Sequence, residues 1–288
     1  MNAIQLATSY VPILDEIYQN ASLTAKLDGN PELVKQGANA HELIIPMLSM
    51  QGLGEYNKND GYVKGDVTLT NETVVANFDR GRMFSVDNVD NAETAGIAFG
   101  RLAGEFIRAK VVPEEDAFRF ATYASKTGAT KVSAVLTTGD AIIAALRAGM
   151  TAMDEAQVPP ENRHLFITPT LLGLVEDMDT TKSKAVLMSF ASVTKVPQAR
   201  FYTAIEQLDG ITAGEEAGGY KKAAAAKDLN FEILDKTALI QFPKHIKPKV
   251  VDPAMNQNAD AWKFGYRQVA VADVYDNKTA GIYVHHKV

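Results

Sequence analysis

The chain of 288 residues contains no cysteine. Disulfide bonds, thiolate zinc sites and cysteine nucleophiles are therefore excluded. No apolar stretch approaches the ~18 residues that a transmembrane helix needs. Residues 1–10 carry neither the basic residues nor the apolar run of a secretory signal. These absences predict a soluble protein made in a cytoplasm.

An excess of basic residues is also missing. Lys and Arg number 29 against 35 Asp and Glu, which gives a net charge of −6 and a pI near 5.5. General nucleic-acid binders normally show a strong basic excess, so that class is disfavoured. Hydrophobic residues make up 46% and charged residues 22%, as in ordinary globular proteins. The composition excludes a disordered chain and a coiled-coil rod.

Most catalytic signatures are absent from the sequence. No glycine is followed by lysine, which excludes a Walker A loop, and no serine has glycine two positions later, which excludes a nucleophile elbow. His41-Glu42 begins like a zincin helix, but position 45 is isoleucine. We therefore expect no catalytic residue, no cofactor and no metal.

Three groups of polar residues have residue types that occur in metal or catalytic sites. His285 and His286 are adjacent on a predicted strand, so their rings point to opposite faces and cannot chelate one metal. Asp177 and Asp179 could hold Mg²⁺, although a solvated loop fits them better. The acidic run 114–116 follows a predicted helix start, where the helix dipole explains it.

A long hairpin is the main feature of the N-terminal third. Ile44 to Leu48 is apolar and extended, and its internal proline predicts an edge strand or a lone tether. Period-two alternation from Tyr62 to Thr70 predicts a strand with one buried face. Asn71-Glu72 is a plausible turn, and Thr73 to Asp87 would run back with a bulge or bend at 79–81.

The rest of the chain alternates between helices and strands. One helix is predicted to end near Lys110, with Phe99, Leu102 and Phe106 packed on a sheet, and a second to begin at Pro113. Further helices and strands follow, and residues 276–278 would form the turn of a terminal hairpin. The alternate spacing of the aromatics at 262, 264 and 266 suits the buried face of a strand. The expected class is mixed α+β.

Five sequence blocks carry a family resemblance. They are MQGLGEYNKNDGYVKGDVTL from Met50, DRGRMFSVDNVDNAET from Asp79, VPQARFYTAI from Val196, KHIKPKVVDPAMNQNADAWKFGYRQ from Lys244, and DNKTAGIYVHH near the C-terminus. In their order and spacing they resemble the major capsid (coat) protein of tailed bacteriophages, which has the Hong Kong 97-type fold. The resemblance covers nearly the whole chain.

The resemblance implies a division of the chain into five parts. They are an N-terminal arm at 1–51, an extended loop (β-hairpin) at 52–93, a peripheral domain with a long spine helix at 94–136, an axial domain at about 137–243, and C-terminal strands at 244–288 that return to the main sheet. Since no long helical segment is predicted before the arm, a separate scaffolding protein is expected.

The resemblance also implies a structural function. Copies would assemble into hexamers and pentamers of an icosahedral head that encloses double-stranded DNA. The expected partners are a portal protein and the packaged DNA, which would be contacted non-specifically. The protein would be located in the host cytoplasm during assembly and then in the virion. The alternatives are an encapsulin-like nanocompartment shell and a soluble enzyme with an unrecognised carboxylate site. The residues expected at contacts between subunits are Val63, Lys64, Val67, Leu69, Asp79, Arg80 and Arg82.

Overall fold

The computed structural model describes residues 21–29, 35–36, 42–59, 61–89 and 97–288. Within them the helices are α1 (97–125), α2 (Gly139–Glu155), α3 (Pro169–Glu176) and α4 (Thr181–Met188). The strands are β1 (Lys35–Gln36), β2 (Glu42–Met50), β3 (Val67–Val75), β4 (Phe78–Asp87), β5 (Thr130–Ser133), β6 (Arg163–Ile167), β7 (Ser192–Lys195), β8 (Ile205–Gln207), β9 (Tyr220–Lys222), β10 (Leu229–Asp235), β11 (Leu239–Val251), β12 (Ala261–Val274) and β13 (Ile282–His286). The mixed α+β class expected from the sequence is confirmed.

A five-stranded sheet in the order β5-β13-β10-β6-β7 lies between two helical layers. Every residue of its central strand β10 is buried. On one face Phe231 and Ile233 share a core with α2, α3 and α4. On the other face Leu234 packs in a core that includes Phe120 of α1. Because both faces of the sheet are covered, β10 carries apolar side chains toward both cores.

Helix α1 is one continuous helix, where the sequence predicted two. Its segments are Ile97–Phe106, a π-helical turn at Ile107–Val111, and Val112–Ser125. A proline inside a regular helix clashes with the carbonyl four residues before it. The widened turn lies directly before Pro113, so the helix passes through the proline without ending. At ~1.5 Å per residue, α1 is roughly 43 Å long.

The long three-stranded sheet, in the order β11-β12-β4, is covered on one face by α1. Phe106 packs edge-on against Phe84 at 4.8 Å between ring centroids and lies 6.2 Å from Tyr266. Leu102 belongs to the same cluster, so the expected packing of Leu102 and Phe106 on a sheet is confirmed, whereas the side chain of Phe99 lies outside the described residues. The predicted buried face of aromatics on β12 is also confirmed.

The predicted pairing of the hairpin is wrong. Strand β3 pairs with β2, and β4 pairs with β12 in a different sheet. Asn71-Glu72 lies in the middle of β3 instead of forming a turn. The chain changes sheets at Asn77, whose side-chain amide donates to the carbonyl of Ala272 at 2.7 Å and accepts from its N–H at 3.1 Å. The hairpin is thus β2–β3, with residues 51–66 as its connection.

Three smaller predictions also need correction. Strand β2 is not an edge strand along its whole length, because it lies between β1 and β3. Strand β1 pairs only with Leu43 and Ile44, so at Pro46 β2 has β3 as its one neighbour among the described strands. No bulge interrupts β4, and Gly81 is needed because a Cβ there would lie 2.9 Å from the Tyr266 carbonyl oxygen. The last strand, β13, pairs with β10 and β5 instead of β12.

Glu232 gives a prediction about stability. Its carboxyl is fully buried between the register partners Phe166 and Val284, and neither oxygen has a hydrogen-bond partner among the described residues. Burial raises the pKa of this carboxyl well above its ordinary value. The folded chain therefore holds the proton to a higher pH than the unfolded chain does.

The pKa of this carboxyl is higher in the folded chain than in the unfolded chain, where it is near 4.5. The folded state therefore has its full stability below the unfolded pKa and loses stability as the pH rises toward the folded pKa. Glu232→Gln removes this titration, so we expect it to gain stability over the wild type by up to about 1.4 kcal/mol for each pH unit in that window. Urea midpoints at pH 5 and pH 8 measure the difference. Equal pH dependence of both proteins would contradict the assignment.

Candidate assembly surfaces

Among the described residues, the core contact of the β2–β3 ribbon lies at one end, which we call its root. There, Ile45 and Val74 are buried in a cluster with Ile240, Phe242 and Val271. A nine-residue strand spans about 30 Å, so the ribbon extends well beyond this cluster. Packing within the ribbon does not explain the apolar residues of its distal half, because a two-stranded ribbon cannot bury a face by itself.

One face of the distal ribbon is apolar and exposed. The register places Leu48 opposite Leu69 and Met50 opposite Val67, and residues directly opposite each other share a face. These four side chains are 55%, 65%, 64% and 65% exposed, respectively. The opposite face at the same level carries Ser49 and Thr68. The sequence indicated Val67 and Leu69 but missed Leu48 and Met50, because their face depends on the β2–β3 register.

The connection at 51–66, which we call the tip, continues the exposed surface. At its base, the Gln51 N–H donates a hydrogen bond to the Asp66 carbonyl at 3.3 Å. Further out, a β-bridge joins Asn57 to Gly61, whose φ is +80°. Leu53 at the tip is fully exposed. Further exposed side chains here are Tyr56 and Tyr62, whose rings lie 4.9 Å apart, and the predicted contact residues Val63 and Lys64.

Three of the four charged residues expected at contacts between subunits, those on β4, have partners within the chain. Asp79 receives two hydrogen bonds from the Arg267 guanidinium, at 2.6 and 2.9 Å. The Nε of Arg80 lies 2.7 Å from Glu114 Oε1, and Arg82 donates to main-chain carbonyls of the loop at 208–219. Because β4 belongs to the long sheet and not to the hairpin, these side chains face other parts of the same subunit. The reason for expecting them to pair across subunits therefore no longer holds.

The acidic run at 114–116 is not explained by a helix terminus, as the sequence suggested. All three residues are buried, and α1 continues for more than a turn before them, so no free N-terminus is present. Glu115 pairs with Arg119 at 2.6 Å. Asp116 has no exposed surface and pairs with Arg200 at 3.3 Å.

Asp116 also fixes residues 22–29, which we call the strap. Its carboxylate accepts hydrogen bonds from Ser22 Oγ and Leu23 N, each at 3.0 Å, and from Thr24 Oγ1 at 2.6 Å and Thr24 N at 3.3 Å. Leu27 of the strap is buried in the core beneath α1. The first 20 residues of the arm expected at 1–51 lie outside the described residues.

The weighed metal candidates do not come together. Asp179 pairs with Lys184 at 2.5 Å on the surface. His285 is buried, stacks on Phe231 at 4.9 Å between ring centroids, and has a pKa lowered by burial to about 4. His286 bonds instead to the Lys287 carbonyl at 2.7 Å. Among the described residues, no group of three or more possible ligands clusters, and no helix has the length and apolarity to cross a bilayer.

Comparison with known proteins identifies the fold. Neither the protein-family models nor the curated proteins give a match. Among solved structures, one from Mycobacterium phage Che8 is 12% identical with a TM-score of 0.61, covering 92% of this chain and 90% of that one. The capsid of Cyanophage P-SCSP1u is 11% identical with a TM-score of 0.57, covering 88% and 85%. A virus-like particle from Pyrococcus furiosus is 11% identical with a TM-score of 0.56, covering 96% and 99%. The chain has the Hong Kong 97-type capsid fold.

Proposed function

We propose that this chain is the major capsid protein of a tailed bacteriophage, which assembles into hexamers and pentamers of an icosahedral head around double-stranded DNA. The observation that carries the proposal is the apolar distal face of the β2–β3 ribbon, in a chain whose fold is that of capsid shells. Contiguous exposed apolar surface marks an interaction site. A neighbouring copy is the partner that a closed shell supplies to every ribbon.

The contacts that follow from this proposal differ from those expected from the sequence. Val67 and Leu69, with Leu48 and Met50, would pack on the next subunit, and Val63 and Lys64 would contact it from the tip. Interfaces of this kind typically bury ~1,600 Å². The roles of Asp79, Arg80 and Arg82 would be indirect, since each is bonded within its own subunit.

The proposal also assigns the parts of the chain to capsid domains. Helix α1 with the β11-β12-β4 sheet would form the peripheral domain, and the five-stranded sheet with α2, α3 and α4 would form most of the axial domain. A separate scaffolding protein and a portal protein would act during assembly in the host cytoplasm, before the subunit becomes part of the virion. The net charge of −6 suits a wall that holds DNA by weak, non-specific contacts.

A nanocompartment shell is the second candidate, favoured by the match to the Pyrococcus furiosus virus-like particle over 96% of this chain. The two functions differ in what the shell contains. Particles purified from infected or expressing cells should hold nuclease-protected DNA in the first case and a protein cargo in the second. Absorbance at 260 and 280 nm, followed by cargo analysis, distinguishes them.

Sedimentation velocity of the purified full chain tests the proposed function. We expect a particle of many subunits, alone or with a scaffolding protein supplied. A small oligomer under all of these conditions would favour an enzyme and contradict a shell. The carboxylate pair Asp177 and Asp179, considered from the sequence as a possible Mg²⁺ site, lies in a surface loop of this structure.

A further inference from the structure

The loop at residues 208–219, which we call the glycine-rich loop, is built around one side chain of β4. The Arg82 guanidinium donates from Nη1 to the Ala217 carbonyl at 3.0 Å and from Nη2 to the Glu216 carbonyl at 2.8 Å. Hydrogen bonds from a charged donor are about twice as strong as neutral ones. The arginine therefore fixes the second half of the loop.

Two glycines make this arrangement possible. Gly210 and Gly218 have φ values of +75° and +64°, which side chains rarely tolerate. A Cβ on Gly218 would lie 2.7 Å from Arg82 Nη1, and a Cβ on Gly210 would lie 3.3 Å from the same atom. The guanidinium thus occupies the space that side chains at both positions would need. These two glycines of the loop therefore have a specific structural cause.

Arg80 fixes the two ends of the same loop. Its Nη2 donates to the carbonyls of Leu208 at 2.7 Å and Gly219 at 3.2 Å, next to the backbone bond from Leu208 N to the Gly219 carbonyl at 2.8 Å. Its Nε pairs with the buried Glu114 of α1 at 2.7 Å. Two arginines on β4 therefore bond four carbonyls of the glycine-rich loop.

Strand β4 directly follows the root of the ribbon in the chain. Only Ala76 and Asn77 separate β3 from β4, and Asn77 is bonded to the backbone of Ala272. We propose that Arg80 and Arg82 form a clamp that couples the ribbon to the glycine-rich loop, so that a subunit docking on the ribbon also sets the conformation of this loop. That the docking partner is another subunit rests on the proposed function. The clamp itself is a property of the single subunit.

Hydrogen exchange of the unassembled full chain tests the clamp without requiring a shell. The amides of Ile211 and Thr212, bonded to Asp209 Oδ1, and of Gly218, bonded to the Glu215 carbonyl, report on the loop. We expect Arg82→Ala to speed their exchange at least tenfold. Arg267→Ala is the matched control, because it also removes an arginine bonded to β4 but contacts Asp79 and not the loop. Unchanged exchange in Arg82→Ala would overturn the clamp.

The reciprocal experiment tests the coupling, because a coupling free energy acts equally in both directions. Gly218→Val places a side chain where the Arg82 guanidinium lies, and we expect several-fold faster exchange in β4 and at residues 73–77 of the ribbon root. Gly173→Ala is the control, since a Cβ there meets no atom within 4 Å. Faster exchange in the loop alone would refute the coupling. Because both measurements use unassembled subunits, a failure to form shells leaves their outcome unaffected and refutes only the proposed function.

Discussion

Closed shells should be lost when Leu48 and Leu69 are both replaced by threonine. The two side chains lie opposite each other on the exposed face of the ribbon, and packing against the described part of the subunit does not explain their apolar character. Threonine keeps the strand propensity, and the ribbon should therefore still form. Burying a leucine at an interface contributes roughly 1.5–3 kcal/mol, and a shell loses this at every subunit. Sedimentation velocity should show folded, unassembled subunits.

The opposite face of the same ribbon supplies the control. Ser49→Thr with Thr68→Ser changes two residues of the same β2–β3 level without altering the apolar face. This variant should assemble like the wild type. Circular dichroism should be the same for all three proteins. Shells of normal size from the Leu48→Thr, Leu69→Thr variant would contradict the assignment of this face to an inter-subunit contact.

A large loss of subunit stability is expected for Asp116→Ala. The carboxylate is fully buried and accepts four hydrogen bonds from the strap in addition to its ion pair with Arg200. Its removal leaves the buried donors of Thr24 without this acceptor. Breaking a buried charged pair by removing one partner typically costs about 3–5 kcal/mol. Urea unfolding of the unassembled subunit measures the difference.

Glu105→Gln is the matched control for that measurement, since it removes an acidic residue of the same helix. Glu105 pairs with Arg108 on the surface, where both side chains are more than 60% exposed. Exposed pairs of this type contribute about 0.3–0.5 kcal/mol. If Asp116→Ala and Glu105→Gln lower the stability equally, Asp116 does not hold the strap.

The hairpin shows what local sequence patterns could and could not predict. Alternation over Tyr62 to Thr70 predicted a strand with one buried face, and that prediction is only partly right. The structure places residues 62–66 in the tip and residues 67–70 in β3, where the side chains of both faces are exposed. Alternation does not specify the partner strand, and β2 lies across a connection of 16 residues, from Gln51 to Asp66. Asn71-Glu72 has the composition of a turn, but the direction of the chain is set by Asn77 through bonds to Ala272, which is distant in sequence.

Buried charges were the other feature that local reasoning missed. An acidic run after a predicted helix boundary fits the helix dipole, and that reading fails here because α1 passes through Pro113. Glu114, Glu115 and Asp116 instead bond to β4, to α1 itself and to the strap. The partners of Glu114 and Asp116, on β4 and the strap, are distant from them in the chain. In contrast, the ordered sequence blocks indicated the capsid fold directly, because a resemblance over the whole chain includes the long-range arrangement.

A cryo-electron microscopy reconstruction of particles formed by the full chain tests the central claim most directly. The account predicts a closed icosahedral shell of pentamers and hexamers, in which Leu48, Met50, Val67 and Leu69 of each subunit are buried against its neighbour. The glycine-rich loop should remain bonded to Arg82 in every copy. A shell in which the distal ribbon face stays exposed to solvent would contradict the claim, as would particles held together by other surfaces.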